Sequence, residues 1–442
     1  MLLAFFLYIK GKKISSLLIF FFFVSLGFQL IPEEAMNLGI GFSKGTDYAV
    51  ILILACFIYD LFTIKNYLKP DPLLWILISF FAFLAISVIY SKFYVGASWN
   101  EIIRTIRQFV LFLSFLIFRQ LKYDEIERLM KYLFTITTFL SFIYLCQSVF
   151  SEKLLQGFVG GKMQIGEFKL IRYYNQPLML HLFAIMAVFK NPFKGSPKFI
   201  SSFLLIASIF MGFHRSLTGF FILILIIGFV LGLSRVRQVR IFVVSLAILL
   251  PTIAVVGNNF VKSSIYKDLQ SVWVGNFADT DFDLDDLAGS TFAFRIGHLF
   301  ERMKFLSESP VRKAFGAGLI TEDSKLTDGM FDFAIGIHEE LTGRAVQLES
   351  PDISYSPLII RYGYLGGLIF LNIYFYLLYF FYKKRHIDYG LVGLLLLILS
   401  FLVSFFSDNL LQPINYALFM LLYAITQKRE EYLQEQEIIS KP

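Results

Sequence analysis

Leu17 to Ile31 read LLIFFFFVSLGFQLI, and the apolar residues run on with no alternation. A membrane-barrel strand would alternate apolar and polar faces with a period of two, so this stretch is not one. In lipid the backbone is satisfied only within a helix or a closed barrel, which leaves the helix. A span needs roughly 20 apolar residues to cross a hydrocarbon core about 30 Å thick. Comparable stretches recur near 14–31, 48–64, 73–90, 106–118, 132–150, 176–190, 199–213, 218–233, 241–257, 358–382, 389–406 and 412–426. Of 442 residues, 57% are hydrophobic, 17% charged and 53 are phenylalanine, with a mean hydropathy of +0.67, far outside the range of a soluble domain. The expected fold is an all-α integral membrane protein with about 12 transmembrane helices.

The connections alternate in character. KGKK, KNYLK, RQLKYDEIERLMK, KNPFKGSPK, RVRQVR, KKRH and the tail from KRE are basic and fall on one side, which the positive-inside rule makes cytoplasmic. Both termini then lie in the cytoplasm. Topology thus accounts for the net charge of +7, with no nucleic acid partner. Cys56 and Cys146 both fall inside apolar spans, so no disulfide framework is implied. The opening MLLAFFLYIKGKK is apolar first and basic second, the reverse of a cleavable signal peptide.

Nine spans are expected over 1–257 and three over 358–426, with a tail at 427–442. Two outer connections are long, 151–175 and 258–357, the second standing before the tenth span. It begins acidic, DTDFDLDDL, and continues TFAFRIGHLFERMKFLSES. There Phe292, Ile296, Phe300 and Met303 recur at helical spacing and predict an amphipathic helix. Its other face carries Arg295, His298 and Arg302, stacked at intervals of three and four. SPVRKAFGAGL then ends the helix and turns.

Basic residues on the outer side oppose the topological bias, so each asks for another reason. In NEIIRTIRQFVLF, Glu101, Arg104 and Arg107 share one face at a span end; snorkelling to lipid phosphate competes with a role in a cavity. EFKLIRYYNQP places Lys169 and Arg172 before the sixth span, beside Tyr173 and Tyr174 of an interfacial belt. MGFHRSLTG is a tight outer hairpin holding His214 and Arg215. The histidine suits a hydrogen-bonded structural role, whereas the arginine has no topological use. The large loop supplies Arg295, Arg302, Arg312, His338 and Arg344 and leads into SPDISYSPLIIRYGYLGG, residues 350–367. Ser356 there suits a helix cap and Pro357 a first helical position. Arg361 then lies about one turn inside the span, with Asp352 just above it. An acid and base pair at the membrane mouth is one reading of these two charges; an interhelical salt bridge is the other.

Arginines collected at a membrane surface can hold a multiply charged oxyanion, because each planar guanidinium grips phosphate through two hydrogen bonds. Diphosphate carried on a lipid is the obvious candidate. No Walker-type loop, HExxH, zinc cysteine pair or Gly-x-Ser-x-Gly elbow occurs in the sequence. An enzyme built from these parts would work by arginine electrostatics and a general base, with neither cofactor nor protein-bound metal.

The order of loops and three local stretches resemble the Wzy-type O-antigen and polysaccharide polymerases, relatives of the O-antigen ligases. The stretches are HRSLTGFFILIL, FRIGHLFERMKFLSESPVRKAFGAGL and SPDISYSPLIIRYGYLGG. The resemblance implies a bacterial inner-membrane enzyme that moves a glycan from undecaprenyl diphosphate to a hydroxyl of the next lipid-linked repeat unit. The partners implied are the undecaprenyl-diphosphate-linked oligosaccharide, membrane lipid and a chain-length regulator. Arg172, Arg215, Arg295 and Arg302 are implied to line the diphosphate site; Arg215 and Arg295 are expected to be catalytic together with Asp352 and His338, and the charges read above add Arg104, Arg107, Arg361 and His298 as expected substrate contacts. Where the ligases and some polymerases carry a histidine, this sequence has Asp352 ahead of Gly363, which favours a polymerase. Asp352, His338 and His298 stay open as acceptors of the proton. An O-antigen ligase is the nearest alternative, and a lipid-linked oligosaccharide flippase the alternative of another class.

Overall fold

The computed structural model describes residues 1–36, 44–157, 159–165, 168–212, 214–232, 291–328, 330–331, 347–349 and 353–440; Glu33, 159–165, 168–172, Arg215, 291–297 and 439–440 are described by backbone alone. The expected span 241–257, most of the loop 258–357, Asp352 and His338 lie outside the described residues.

Helices α1 (Leu2–Ile9), α2 (Lys13–Val24), α3 (Gly45–Thr63), α4 (Pro72–Tyr90), α5 (Trp99–Ile106), α6 (Ser114–Phe118) and α7 (Tyr123–Phe150) come first. A hairpin of β1 (Val159–Ile165) and β2 (Phe168–Tyr173) follows, then α8 (Leu180–Phe189), α9 (Ser196–Met211) and α10 (Arg215–Gly232). Beyond the undescribed segment come α11 (Thr291–Ser307), α12 (Pro310–Phe315), α13 (Tyr355–Lys383), α14 (Asp388–Val403) and α15 (Pro413–Ser440). Gly45–Thr63, Pro72–Val95, Tyr123–Phe150 and Tyr355–Lys383 are long and apolar enough to cross a membrane, and shorter apolar helices accompany them. The architecture is that of an α-helical membrane protein. The antiparallel β1–β2 hairpin, with Val159 opposite Tyr173 and Ile165 opposite Phe168, departs from the all-α expectation; it lies in the smaller long connection, 151–175.

The opening stretch LLIFFFFVSLGFQLI is only partly helical. α2 ends at Val24, and Leu26, Phe28 and Gln29 take left-handed backbone angles that cost of order 1–3 kcal/mol each outside glycine. Gln29 supplies the compensation. Its buried amide donates to the carbonyls of Asn175 at 3.3 Å and Gln176 at 3.1 Å, and its side-chain oxygen accepts from the Leu178 N–H at 2.9 Å. Gln147 extends the network, donating to Asn175 Oδ1 at 2.7 Å and accepting from the N–H groups of Leu154 and Leu155. Buried polar groups of this kind specify one packing when every member is satisfied. The expected span at 106–118 is also broken, into a 3-10 segment Arg107–Leu113 followed by α6.

Phenylalanine builds the centre of the bundle. Phe80 of α4 meets Phe109 edge to face at 5.2 Å between ring centroids, Phe112 stacks on Tyr416 of α15 at 4.5 Å, and Phe370 of α13 closes the cluster. Offset and edge-to-face rings each add about 0.5–1.5 kcal/mol beyond burial. This helps fix α13 and α15 against α4 in a solvent where apolar burial alone drives no helix pairing. Phe93, Tyr94 and Trp99 at one end, and Trp75, Tyr379 and Tyr382 at the other, stay exposed, as an interfacial aromatic belt does. The end that carries α11 and α12 is the loop end, and the opposite one is the tail end. The tail end is closed by the pair Lys384–Glu430, by Lys190–Asp388 at 3.2 Å, and by buried Asp71, which accepts from Leu73 N–H and Tyr423 Oη at 2.8 Å each.

Candidate functional site

Two glycine turns hold the loop end together. Within α13, Gly363 leaves helical geometry at φ 68°, ψ −178°, and Gly316, directly after α12, sits at φ 70°. The two backbones touch. A Cβ on Gly316 would lie 2.4 Å from the Ile360 carbonyl oxygen, and one on Gly363 would lie 2.5 Å from Ala314 C. The Ile360 oxygen accepts from the Ala317 N–H at 2.7 Å, so a carbonyl at the kink is satisfied by the turn of the loop. Leu319 N–H donates to Ser91 Oγ at 2.8 Å, and Phe315 stacks on Phe83 at 5.7 Å and Tyr90 at 5.2 Å. Two of the three quoted stretches, AFGAGL and RYGYLGG, are thereby one structural unit.

α11 packs beside the start of α13 through its polar face. Phe300 and Met303, of the apolar stripe, are exposed, whereas His298 and Arg302 are buried, Arg302 to 0%. The polar side chains face inward because their partners are there. Arg302 donates to Glu301 at 2.6 Å and to the Gln347 carbonyl at 2.5 Å, and its guanidinium lies 4.1 Å from the Phe331 ring centroid. Held in this way it ties α11 to the segment around Gln347. His298 Nδ1 lies 2.7 Å from Ser356 Oγ, so Ser356 joins α11 to α13. The expected Ser356 cap is corrected: α13 starts at Tyr355 behind Ser354, whose N–H donates to the Ser404 carbonyl at 3.0 Å. Arg361 accordingly stands at the end of the second turn.

Burial, with the Arg302 charge adding to it, pushes the His298 imidazole down to about 3. The unfolded chain, titrating near 6.5, then binds the extra proton first, so His298 stabilises the fold above pH 6.5, and that contribution is lost as pH falls from there towards 3. At pH 5 the loss amounts to about 2 kcal/mol. Thermal unfolding of the detergent-solubilised protein at pH 7.5 and 5.0 is expected to reveal it, with a smaller difference in His298→Gln.

Three of the expected arginines come together at the loop end, each with a carboxylate. Arg107, where α5 passes into the 3-10 segment, pairs with Asp47 in the first turn of α3 at 2.9 Å, and the Asp47 side chain is only 3% exposed. Arg104 pairs with Asp323 at 2.8 Å on the surface. Arg361 pairs with Glu349 at 2.6 Å, the arginine side chain 14% and the glutamate 58% exposed. The Arg361 carboxylate partner is therefore Glu349; Asp352 lies outside the described residues. Burial works against the Glu349 charge, but Arg361, with Lys44 and Arg104 near by, overcomes it and holds the carboxyl below its ordinary range. Glu101 does not join the pairs: it accepts from the Ser98 N–H at 2.6 Å in the capping box of α5.

The remaining expected residues are described by backbone alone or lie outside the described residues. Arg172 is on β2, Arg215 opens α10 and Arg295 is in the first half of α11. The ring of His214 meets Tyr174 at 4.9 Å, and His181 on α8 is within electrostatic reach of His214. Lys44, Asp47, Glu349 and His181 are absent from the expected set. A histidine inside the apolar run QPLMLHLF was a visible signal; Glu349 had none, because only folding sets it against Arg361. Among the described residues no three His, Cys, Asp or Glu side chains form a metal site.

The loop end thus holds a buried pair, Arg107–Asp47, a surface pair, Arg104–Asp323, and a mixed pair, Arg361–Glu349. In comparisons with known proteins, no family model matches this chain and no curated protein matches it.

Proposed function

We propose that the chain is a polysaccharide polymerase of the bacterial inner membrane, with twelve spans, both termini cytoplasmic and the loop end on the periplasmic side. It transfers a glycan from undecaprenyl diphosphate to a hydroxyl of the next lipid-linked repeat unit. The observation that carries this reading is the gathering of Arg104, Arg107 and Arg361 at one end of a membrane bundle. Two of the three stretches that carry the Wzy-type resemblance also meet at that end, through Gly316 and Gly363.

In the proposed reaction the acceptor hydroxyl attacks the anomeric carbon, the glycosyl bond to diphosphate breaks, and the hydroxyl proton passes to a base, with Asp352, His338 and His298 as candidates. The neutral, buried state of His298 suits a structural place better than an exchanging one. The leaving diphosphate gains charge in the transition state, and guanidinium groups already held in place stabilise that charge without reorganisation.

Purified protein supplied with synthetic lipid-linked repeat units is expected to produce a ladder of longer glycans. Transfer to a lipid A core acceptor with no ladder would point instead to a ligase. Labelled lipid crossing the bilayer, again with no ladder, would replace the enzyme reading by a flippase.

A further inference from the structure

Of the three pairs at the loop end, Arg361–Glu349 is unequal. Arg361 is held at the kink of α13, beside the backbone contact between Gly316 and Gly363. Its Nε is buried with no hydrogen-bond partner among the described residues, so part of its donor fork is unused there. Glu349 is the exposed member of the pair. Its backbone is tied down separately: the Glu322 carboxylate accepts from the N–H groups of Gln347, Leu348 at 2.7 Å and Glu349 at 2.9 Å. The Glu349 side chain can therefore swing away while its main chain stays. Asp47, by contrast, is almost wholly buried against Arg107, and releasing it would leave an uncompensated buried charge.

We propose that Glu349 is the internal counter-ion of the anion site, and that an incoming diphosphate replaces its carboxylate on Arg361. A phosphate oxygen pair matches the guanidinium fork as a carboxylate does, and its higher charge also draws on Lys44 and Arg104. Until the anion arrives, Glu349 neutralises the arginine and keeps the site from holding weaker anions. This deepens the polymerase reading and rests on it for the identity of the ligand.

The probe is inorganic diphosphate, titrated calorimetrically into the full chain in neutral detergent. Glu349→Gln removes the competing charge and keeps the backbone bonds to Glu322; it is expected to tighten binding about fivefold. Arg361→Ala is expected to abolish binding in either background. Binding lost in Arg361→Ala but equal in the parent and Glu349→Gln overturns the exchange and leaves the anion site, and the reading built on it, standing. Binding absent from both, or indifferent to Arg361→Ala, overturns the two together. Farnesyl diphosphate competing for the same site supports a lipid-linked diphosphate. Loss of diphosphate binding in phosphatidylglycerol nanodiscs, with no competition by farnesyl diphosphate, assigns the cations to bulk headgroups and overturns the proposal.

Discussion

Gly363→Ala is expected to destabilise the protein by at least ~3 kcal/mol and to abolish any activity that depends on the loop end. Two effects add. The backbone at φ 68°, ψ −178° belongs to a region that side chains with a Cβ rarely enter. The added methyl would also press on the main chain of Ala314, at 2.5 Å from its carbonyl carbon and 2.6 Å from its oxygen, and main chain cannot step aside as a flexible side chain can. Relief would require the turn after α12 to leave α13, taking with it the Ala317 to Ile360 hydrogen bond. Gly316→Ala is expected to match it, for the same contact seen from the other strand of chain. Gly367→Ala is the control: its Cβ would meet Ile359 at 3.6 Å, an ordinary contact, in a helix that alanine favours by up to about 1 kcal/mol over glycine. Thermal unfolding in detergent separates them, and a Gly363→Ala protein as stable as the parent would refute the docking of the two turns.

Arg361→Ala is expected to lower chain elongation on the order of 100-fold, the usual cost of removing one preorganised donor from a developing oxyanion. The protein should remain folded in the membrane, because the lost partner, Glu349, is largely exposed and is not stranded. Arg361→Lys keeps the charge and loses the fork, so an intermediate rate is expected. Arg107→Ala makes a useful contrast. It leaves the Asp47 side chain buried without its cation, at a cost of about 3–5 kcal/mol, so its defect should appear in unfolding, and Asp47→Asn should restore stability in the double variant. Glycan ladders from equal amounts of membrane-inserted protein measure the first effect. Full-length ladders from Arg361→Ala would remove Arg361 from the reaction.

Hydropathy made the helical membrane fold legible, because burial in lipid requires long uninterrupted apolar runs and nothing else in a sequence resembles them. Four of the expected spans fall on helices long and apolar enough to cross a membrane, and several others on shorter apolar helices. The interruptions were not legible. Leu26 to Gln29 leave the helix because Gln29 bonds to residues near 176, and no local preference in VSLGFQL signals a partner so far along the chain. Helical spacing put His298 and Arg302 on one face of α11, and that face is the buried one. Apolar periodicity tells which residues share a face; which face packs inward depends on what the neighbour offers. Here the neighbour offers Ser356, the Gln347 carbonyl and the Phe331 ring, while membrane proteins can leave Phe300 and Met303 exposed at little cost where lipid can meet them.

The site divides in the same way. The sequence singled out Arg104, Arg107 and Arg361, because on the expected topology a cation at a span end away from the basic connections opposes the charge bias. Only the tertiary structure decided their partners, Asp323, Asp47 and Glu349. Charge pairing depends on tertiary distances: Arg104 and Asp323 are 219 positions apart and meet where the backbone contact of Gly316 with Gly363 brings the loop down onto the mouth of α13, whereas Arg107 and Asp47 join α5 to α3 within the bundle.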